Sequence, residues 1–129
     1  MGFIAFNKCF LVEFWENNQS DNAKYKILSY QQGLDLLKQQ TVVILGVGGV
    51  GSFAAEALAR TNIGHIILID KDDVDITNVN RQLHALTTTV GQSKVSLMEE
   101  RIKLINPDCK VTPLHMFYTE ETYEEIFDN

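Results

Sequence analysis

A chain of 129 residues with 45% hydrophobic and 22% charged residues has the size and balance of one globular domain with a single core. No apolar run approaches the roughly 18 residues that a membrane-spanning helix needs, and the formal net charge of −6 gives no long-range attraction to nucleic acid. We therefore expect a cytoplasmic protein with no membrane association. Cys9 and Cys109 lack the close Cys or His neighbours of a zinc site, so we expect both thiols to be free.

The first 30 residues form a poorly defined segment in the sequence pattern. Aromatic residues come first, and the polar run "ENNQSDN" that follows is typical of a turn or a mobile segment. "YQQGLDLLKQQ" then places Leu34 and Leu37 at helical spacing and predicts a short helix. We assign residues 31–129 to the folded domain.

Strands and helices alternate after this helix. Apolar runs predict buried strands at 41–45 and 65–70, residues 110–116 are predicted to form a third strand, and helical spacing predicts helices at 50–60 and 92–105. This alternation is the half-sheet unit of a doubly wound fold, so we predict a Rossmann-like α/β fold of three layers with a parallel sheet. One face of the helix at 92–105 is apolar, through Val95, Met98, Ile102 and Ile105.

The end of the chain predicts one more helix. Thr122 and Glu125 have the spacing of a capping box, and Tyr123, Ile126 and Phe127 fall on one side of the helix. Three parallel strands leave at least one edge exposed. We therefore expect this chain to be the N-terminal half of a larger domain, or a partner to cover that edge.

A glycine-rich turn joins the first predicted strand of this unit to the helix after it. Backbone N–H groups at a helix N-terminus, together with the helix dipole, stabilise an anion such as phosphate. Glycine permits positive φ and close approach of the ligand. The alternative is a tight turn with close helix packing and no ligand. The residues of this turn predicted to contact a nucleotide are Gly46, Gly48, Gly49 and Gly51.

Asp70 ends the second predicted strand, nineteen residues after Gly51. A carboxylate at this place accepts hydrogen bonds from ribose hydroxyls, although an aspartate that caps a turn would look the same. We interpret the nearby Asp72, Asp73 and Asp75 as solvated turn residues. Taken alone, the glycines and Asp70 suggest a dinucleotide-dependent dehydrogenase.

Two basic residues favour a different ligand. The pattern places Asn78, Arg81 and Gln82 on adjacent turns of a short helix, and Lys94 in the first turn of the next. A cation near a helix N-terminus is disfavoured by about 0.3–1 kcal/mol, so an anion should offset Arg81 and Lys94. A triphosphate would do so through charge-assisted hydrogen bonds. Two ordinary surface cations remain the alternative.

The run from "GVGGVGSFAAEALAR" to "ERIKLINPD" strongly resembles the ThiF-type adenylating domain. Ubiquitin-activating enzymes share this domain with the bacterial enzymes that activate sulfur-carrier proteins for thiamine and molybdopterin synthesis. The similarity spans about residues 33–117, and "TNVNRQLHAL" looks most like the tRNA threonylcarbamoyladenosine dehydratase branch, through Asn80, His84 and Ala85. The resemblance implies that the glycine turn and Asp70 hold ATP, and that Asn78, Arg81, Gln82 and Lys94 contact or polarise its phosphates.

The resemblance also implies a reaction and its partners. A substrate carboxylate attacks the α-phosphorus of ATP with Mg²⁺ present, and Arg81 and Lys94 stabilise the developing charge. The carboxylate belongs to the threonylcarbamoyl group of a tRNA adenosine, leading to cyclic dehydration, or to the C-terminus of a ubiquitin-like carrier protein. A homodimer is implied, and Lys24 takes the place of an arginine that reaches the partner's ATP. The magnesium ligand and acceptor region fall beyond a position equivalent to Asn129, so we expect little turnover from this chain alone.

Two other classes of function stay open. One is a nicotinamide-dependent oxidoreductase, and the other is a non-catalytic nucleotide-binding or dimerisation fragment. His65 and His115 lack partners at metal-ligand spacing, so we predict no metal site at either. For His84, a position in the nucleotide cleft and a packing role are equally compatible with the sequence.

Overall fold

A four-stranded sheet flanked by helices organises the chain. The computed structural model describes residues 3–6, 30–123 and 126. In chain order the elements are β1 Phe3–Phe6, α1 Tyr30–Lys38, β2 Thr41–Leu45, α2 Gly51–Ala59, β3 His65–Ile69, a 3-10 helix Ile76–Asn78, α3 Lys94–Ile105, β4 Lys110–Leu114 and a second 3-10 helix Glu120–Thr122.

The sheet has the order β1-β2-β3-β4. Strands β2, β3 and β4 run parallel, with Thr41 beside His65 and His65 beside Lys110. The central strands are apolar throughout because both of their faces are covered. The three predicted strands, the helices at 50–60 and 92–105 and the parallel α/β fold are thus confirmed, with ends that differ by no more than two residues.

The two faces of the sheet take alternate residues of each strand. Val42, Ile44, Ile66 and Leu68 pack against helices α2 and α3. On the other face a smaller cluster forms, in which Ile126 is buried. The helix residues in the first cluster include Ala55, Ala59, Val95, Met98 and Ile102, so the apolar face predicted for the second long helix is the face that packs.

Strand β1 was not predicted. It pairs antiparallel with β2, from Phe3 beside Leu45 to Phe6 beside Val42, and so it covers the β2 edge of the parallel sheet, whereas β4 remains an edge strand among the described residues. Residues 3–6 therefore belong to the fold, although the sequence pattern assigned them to an undefined segment.

The predicted capping box of the last helix lies partly outside the described residues, because Glu125 is not among them. The capping box that is described lies one turn earlier, between Thr119 and Thr122. Of the residues predicted on one side of that helix, Ile126 is buried and Tyr123 is 46% exposed.

The parallel strands fix where a site can form. The carboxyl ends of strands β2, β3 and β4 lie at the same end of the sheet, and the segments that follow these strands come together there. Within the described part of the chain, no helix has the length and apolar character needed to cross a membrane.

Candidate functional site

A cleft of about 700 Å³ opens at the carboxyl ends of the parallel strands. It contains eight of the nine residues predicted from the sequence as site residues, and Gly51 is the exception. Residues separated by almost fifty positions are therefore brought to one surface by the sheet topology. The predicted residues that line the cleft are Gly46, Gly48, Gly49, Asp70, Asn78, Arg81, Gln82 and Lys94.

The glycines in the turn after β2 have different roles. Gly46 has a φ of 85°, which other residues rarely adopt. A Cβ on Gly51 would lie 1.8 Å from the Gly46 carbonyl oxygen, so Gly51 allows the start of α2 to pack on the turn. Gly48 and Gly49 line the cleft, and a Cβ there would meet only the side chains and backbone of Gln82 and Arg81, at 3.6 Å and 3.7 Å. Bare backbone at these two positions keeps the space between the turn and those residues open.

The first turn of α2 carries no side-chain cap. Val50 is the N-cap residue and makes no side-chain hydrogen bond to the N–H groups that follow. The Ser52 N–H donates to the Gly48 carbonyl oxygen at 3.0 Å, and the remaining N–H groups of the turn together with the helix dipole favour an anion at this end of the helix.

Asp70 follows β3 directly and is engaged by the turn. Its Oδ2 accepts a hydrogen bond from the Val47 N–H at 2.7 Å, and its Oδ1 accepts one from the Asp72 N–H at 2.9 Å. These two hydrogen bonds show that Asp70 caps turns, which is the alternative considered for it from the sequence. Since the residue also lines the cleft, a contact with a ribose is compatible with this role.

Arg81 does not lie at a helix N-terminus, and that prediction was wrong. Asp75 and Asn78 close a capping box that spans a single 3-10 turn, Ile76–Asn78, so Arg81 follows the end of the helix by three residues. Its Nη1 donates to the Thr77 carbonyl at 2.7 Å and to Asn80 Oδ1 at 2.9 Å. Arg81 is exposed and lines the cleft, so the predicted contact with a phosphate is compatible with its position after the 3-10 helix.

Lys94 lies in the first turn of α3, as predicted, and is its first residue; it is only 6% exposed. Its Nζ lies 3.8 Å from Asp72 Oδ2, a long ion pair whose carboxylate is half exposed and closer, at 3.1 Å, to Lys71. A buried cation is costly without a close counter-charge, and the N-terminus of a helix adds to that cost. The electrostatics around Lys94 therefore favour an anion in the cleft.

Two buried polar atoms beside the cleft have no hydrogen-bond partner among the described residues. They are Gln82 Oε1 and His84 Nδ1. Gln82 lines the cleft, whereas His84 is buried behind it and its Nε2 lies 2.6 Å from the Val47 carbonyl oxygen. The packing alternative for His84 is therefore the one the structure shows, in contact with the glycine turn.

The sequence did not identify every residue of the cleft. Asp72 was taken as a solvated turn residue; it is exposed, but it lines the cleft and pairs with Lys94. The segment after β4 also contributes, and the Lys71 ammonium lies 5.9 Å from the centre of the Phe117 ring. The order of the strands could have identified this segment, because it follows the carboxyl end of β4 and so lies at the same end of the sheet as the glycine turn. The remaining residues that were missed are Leu45, Ile69, Met116 and Tyr118.

The other histidines make local contacts. His65 Nε2 lies 2.9 Å from Thr112 Oγ1, and His115 Nε2 lies 2.8 Å from the Lys71 carbonyl oxygen. The described residues contain no group of three or more His, Cys, Asp or Glu that could hold a metal ion. Cys109 is a buried free thiol whose pKa is raised by burial, and Cys9 and Lys24 lie outside the described residues.

A parallel sheet, a glycine turn before an uncapped helix and a carboxylate after the second strand define a Rossmann-type α/β domain with a cleft suited to a nucleotide. The model of the ThiF family matches residues 20–129, and the chain belongs to that family.

Curated and solved proteins agree with this assignment. The chain is 70% identical over 98 residues to tRNA threonylcarbamoyladenosine dehydratase of Bacillus subtilis, covering 76% of this chain and 39% of that protein. It is 37% identical over 83 residues to molybdopterin-synthase adenylyltransferase of Escherichia coli, covering 64% of this chain and 33% of that protein. The crystal structure of E. coli tRNA N6-threonylcarbamoyladenosine dehydratase in complex with ATP superposes with a TM-score of 0.69 and 40% identity, covering 96% of this chain and 48% of that one. The chain thus spans between a third and a half of the length of these relatives.

Proposed function

We propose that this chain forms the ATP-binding part of an enzyme that adenylates a substrate carboxylate. The observation that carries the proposal is Lys94, a cation 6% exposed at the start of α3, whose ion pair with the neighbouring Asp72 is 3.8 Å long. A polyphosphate supplies the charge that this ammonium lacks. The uncapped start of α2 and the bare backbone of Gly48 and Gly49 provide the other side of the same anion site.

The reaction proposed is a transfer at the α-phosphorus of ATP. An oxygen of the substrate carboxylate forms a bond to that phosphorus, the bond to pyrophosphate breaks, and an acyl-adenylate results. The contribution of this chain is to position the triphosphate and to balance its charge through Arg81 and Lys94, in a cleft whose described lining contains no Ser, Thr or Cys. Asp70, placed after β3, is proposed to face the ribose.

Mg²⁺ fits this site as a companion of the phosphates. It binds through one or two carboxylates together with substrate phosphates and water. Asp70 and Asp72 are the carboxylates that line the described cleft, and both Asp70 oxygens already accept backbone hydrogen bonds. Of the two, Asp72 is the more exposed, and it is the carboxylate of this chain proposed to contact such an ion, whose chemistry would be to offset phosphate charge.

The acceptor proposed is the threonylcarbamoyl group of a tRNA adenosine. In that case the activated carbonyl is attacked from within the same group, AMP leaves, and a ring closes with net loss of water. The 70% identity to a protein named as this dehydratase supports the choice. The 37% identity to a molybdopterin-synthase adenylyltransferase supports the second candidate, the C-terminus of a ubiquitin-like carrier protein, which shares the first step. A homodimer and a cytoplasmic location are parts of the same proposal.

Substitution of Lys94 tests the nucleotide site directly. The Lys94→Met variant should bind ATP about tenfold to a hundredfold more weakly by calorimetry, because a charge-assisted hydrogen bond is worth about 1.5–3 kcal/mol. Its thermal stability should not fall, since a buried charge at a helix N-terminus is removed.

The matched control is Lys103→Met, in the same helix, because the Lys103 side chain is 56% exposed and pairs with Glu99. Equal ATP affinity in the Lys94 and Lys103 variants would contradict the proposal. Tight NAD binding with no measurable ATP binding would favour an oxidoreductase instead.

A further inference from the structure

The peptide groups on both sides of Val47 are held from within the protein. The Val47 N–H donates to Asp70 Oδ2 at 2.7 Å, and the Val47 carbonyl oxygen lies 2.6 Å from His84 Nε2. Val47 itself is fully buried in the first core cluster. One residue of the glycine turn is therefore fixed at its N–H and at its carbonyl by two side chains from different segments.

The carbonyl contact determines the direction of the next N–H. The peptide bond between Val47 and Gly48 is planar and trans, so the Val47 carbonyl and the Gly48 N–H point in opposite directions. His84 is 5% exposed and lies behind the turn, whereas Gly48 lines the cleft. Holding the carbonyl inward thus turns the Gly48 N–H toward the cleft.

This peptide needs such a restraint. Gly48 has no Cβ, and a glycine tolerates both orientations of the peptide that precedes it. A reversed peptide would present a carbonyl oxygen to the cleft and would repel an anion. The hydrogen bond from His84 stabilises the orientation that presents a donor.

We propose that His84 is a positioning residue of the nucleotide site, which keeps the Gly48 N–H directed at a phosphate group by donating a hydrogen bond from Nε2 to the Val47 carbonyl. The proposal rests on the proposed function. It also identifies the tautomer, because a carbonyl oxygen only accepts and Nε2 must therefore carry the proton. The buried Nδ1, which has no partner among the described residues, is then an unprotonated nitrogen.

Nitrogen NMR of the wild-type imidazole tests the tautomer without any substitution. We expect the signature of a neutral ring with its proton on Nε2. A proton on Nδ1 would overturn the proposal, whether or not any variant folds.

Two substitutions then separate positioning from packing. The His84→Gln variant places an amide N–H near the position of Nε2 and should bind ATP within about threefold of wild type, whereas His84→Ala should bind about tenfold to a hundredfold more weakly. The Gly48 amide resonance should shift on ATP addition in wild type and in His84→Gln, and should not shift in His84→Ala. His65→Gln is the control for loss of an imidazole far from the cleft and should leave the affinity unchanged.

The outcomes distinguish the two proposals. If wild type binds ATP and a folded His84→Ala variant binds it equally with the same Gly48 shift, the positioning role is wrong and the proposed function stands. If His84→Ala does not fold, a His84→Gln variant that folds but binds at least tenfold more weakly overturns the proposal. If wild type binds no ATP, both fall.

Discussion

The two ends of the parallel strands differ in whether their buried and half-buried polar side chains have partners within the protein. At the amino ends, the His65 ring lies between Thr41 and Thr112 of the neighbouring strands, with contacts of 3.4 Å and 2.9 Å. At the carboxyl ends, Gln82 Oε1, which lines the cleft, has no partner among the described residues, and Lys94 has a long ion pair. Polar groups satisfied within the fold stabilise it, whereas those left unsatisfied beside a cleft mark the end at which a ligand would complete them.

A glycine at each end offers the strongest test of this comparison. A Cβ at Gly51 would lie 1.8 Å from the Gly46 carbonyl oxygen, and one at Gly64 would lie 1.8 Å from the Lys38 carbonyl oxygen. Because backbone must move in either case, Gly51→Ala and Gly64→Ala should each lower the free energy of unfolding by about 3 kcal/mol in urea titrations.

Only one of these two substitutions should change the affinity of the cleft for ATP. Gly51→Ala displaces the turn that carries Gly48, so it should also weaken ATP binding at a temperature where the variant is folded. Gly64→Ala should leave ATP affinity near that of wild type. Similar loss of affinity in both variants would show that the two ends are not separate.

The histidines at the two ends should give a smaller effect that depends on pH. Burial holds the pKa of His65 below 6.5, as does the positive charge of Lys110. Burial likewise lowers the pKa of His84, against the Val47 hydrogen bond; Lys94 adds to the lowering and Asp70 opposes it. Protons therefore bind more readily to the unfolded chain, and the stability from each neutral ring is complete above pH 6.5 and lost as pH falls toward the folded pKa.

Unfolding measured between pH 7.5 and 5.5 checks this expectation. The free energy of unfolding of the wild type should decrease as the pH is lowered. It should decrease less steeply in His65→Gln and in His84→Gln. Glu56 and Asp75 should not contribute to the change in stability between pH 7.5 and 5.5. Their pKa values are lowered from about 4.5 and 3.8, so both carboxylates titrate at more acidic pH. An unchanged slope in both variants would contradict the pKa directions.

The elements of the sheet could be predicted because their signal is local. Continuous apolar runs predicted β2 and β3, and the helical spacing of Val95, Met98 and Ile102 predicted the packed face of α3. Strand β1 could not be predicted, since a four-residue strand at an edge depends on its pairing with β2 rather than on its own pattern.

The site was predictable where spacing along the chain determines geometry. The glycine turn and Asp70 follow strands directly, and they meet because parallel strands end together. Arg81 was misplaced because the helix predicted through it is a single 3-10 turn, Ile76–Asn78, and the residue pattern does not report how far a helix continues. The hold of Asp70 and His84 on Val47 spans 23 and 37 residues, and no sequence period reports a contact of that kind.

The smallest effect expected is a gain in stability at a glycine that belongs to neither end. Gly33 lies within α1, and a Cβ there would meet nothing within 4 Å. Gly33→Ala should therefore raise the free energy of unfolding by about 0.5–1 kcal/mol, because alanine loses less backbone entropy in a helix.

Gly91 is the matched control for Gly33, since it also has open space around its Cα but has a φ of 83°. Gly91→Ala should lower the free energy of unfolding by about 1–2 kcal/mol, because an L-residue is strained in that conformation. A gain in the free energy of unfolding in Gly33→Ala and a loss in Gly91→Ala would show that replacing a glycine is not destabilising in itself. The losses at Gly51 and Gly64 would then be attributed to close backbone contact. A loss at Gly33 as large as that at Gly51 would remove that distinction.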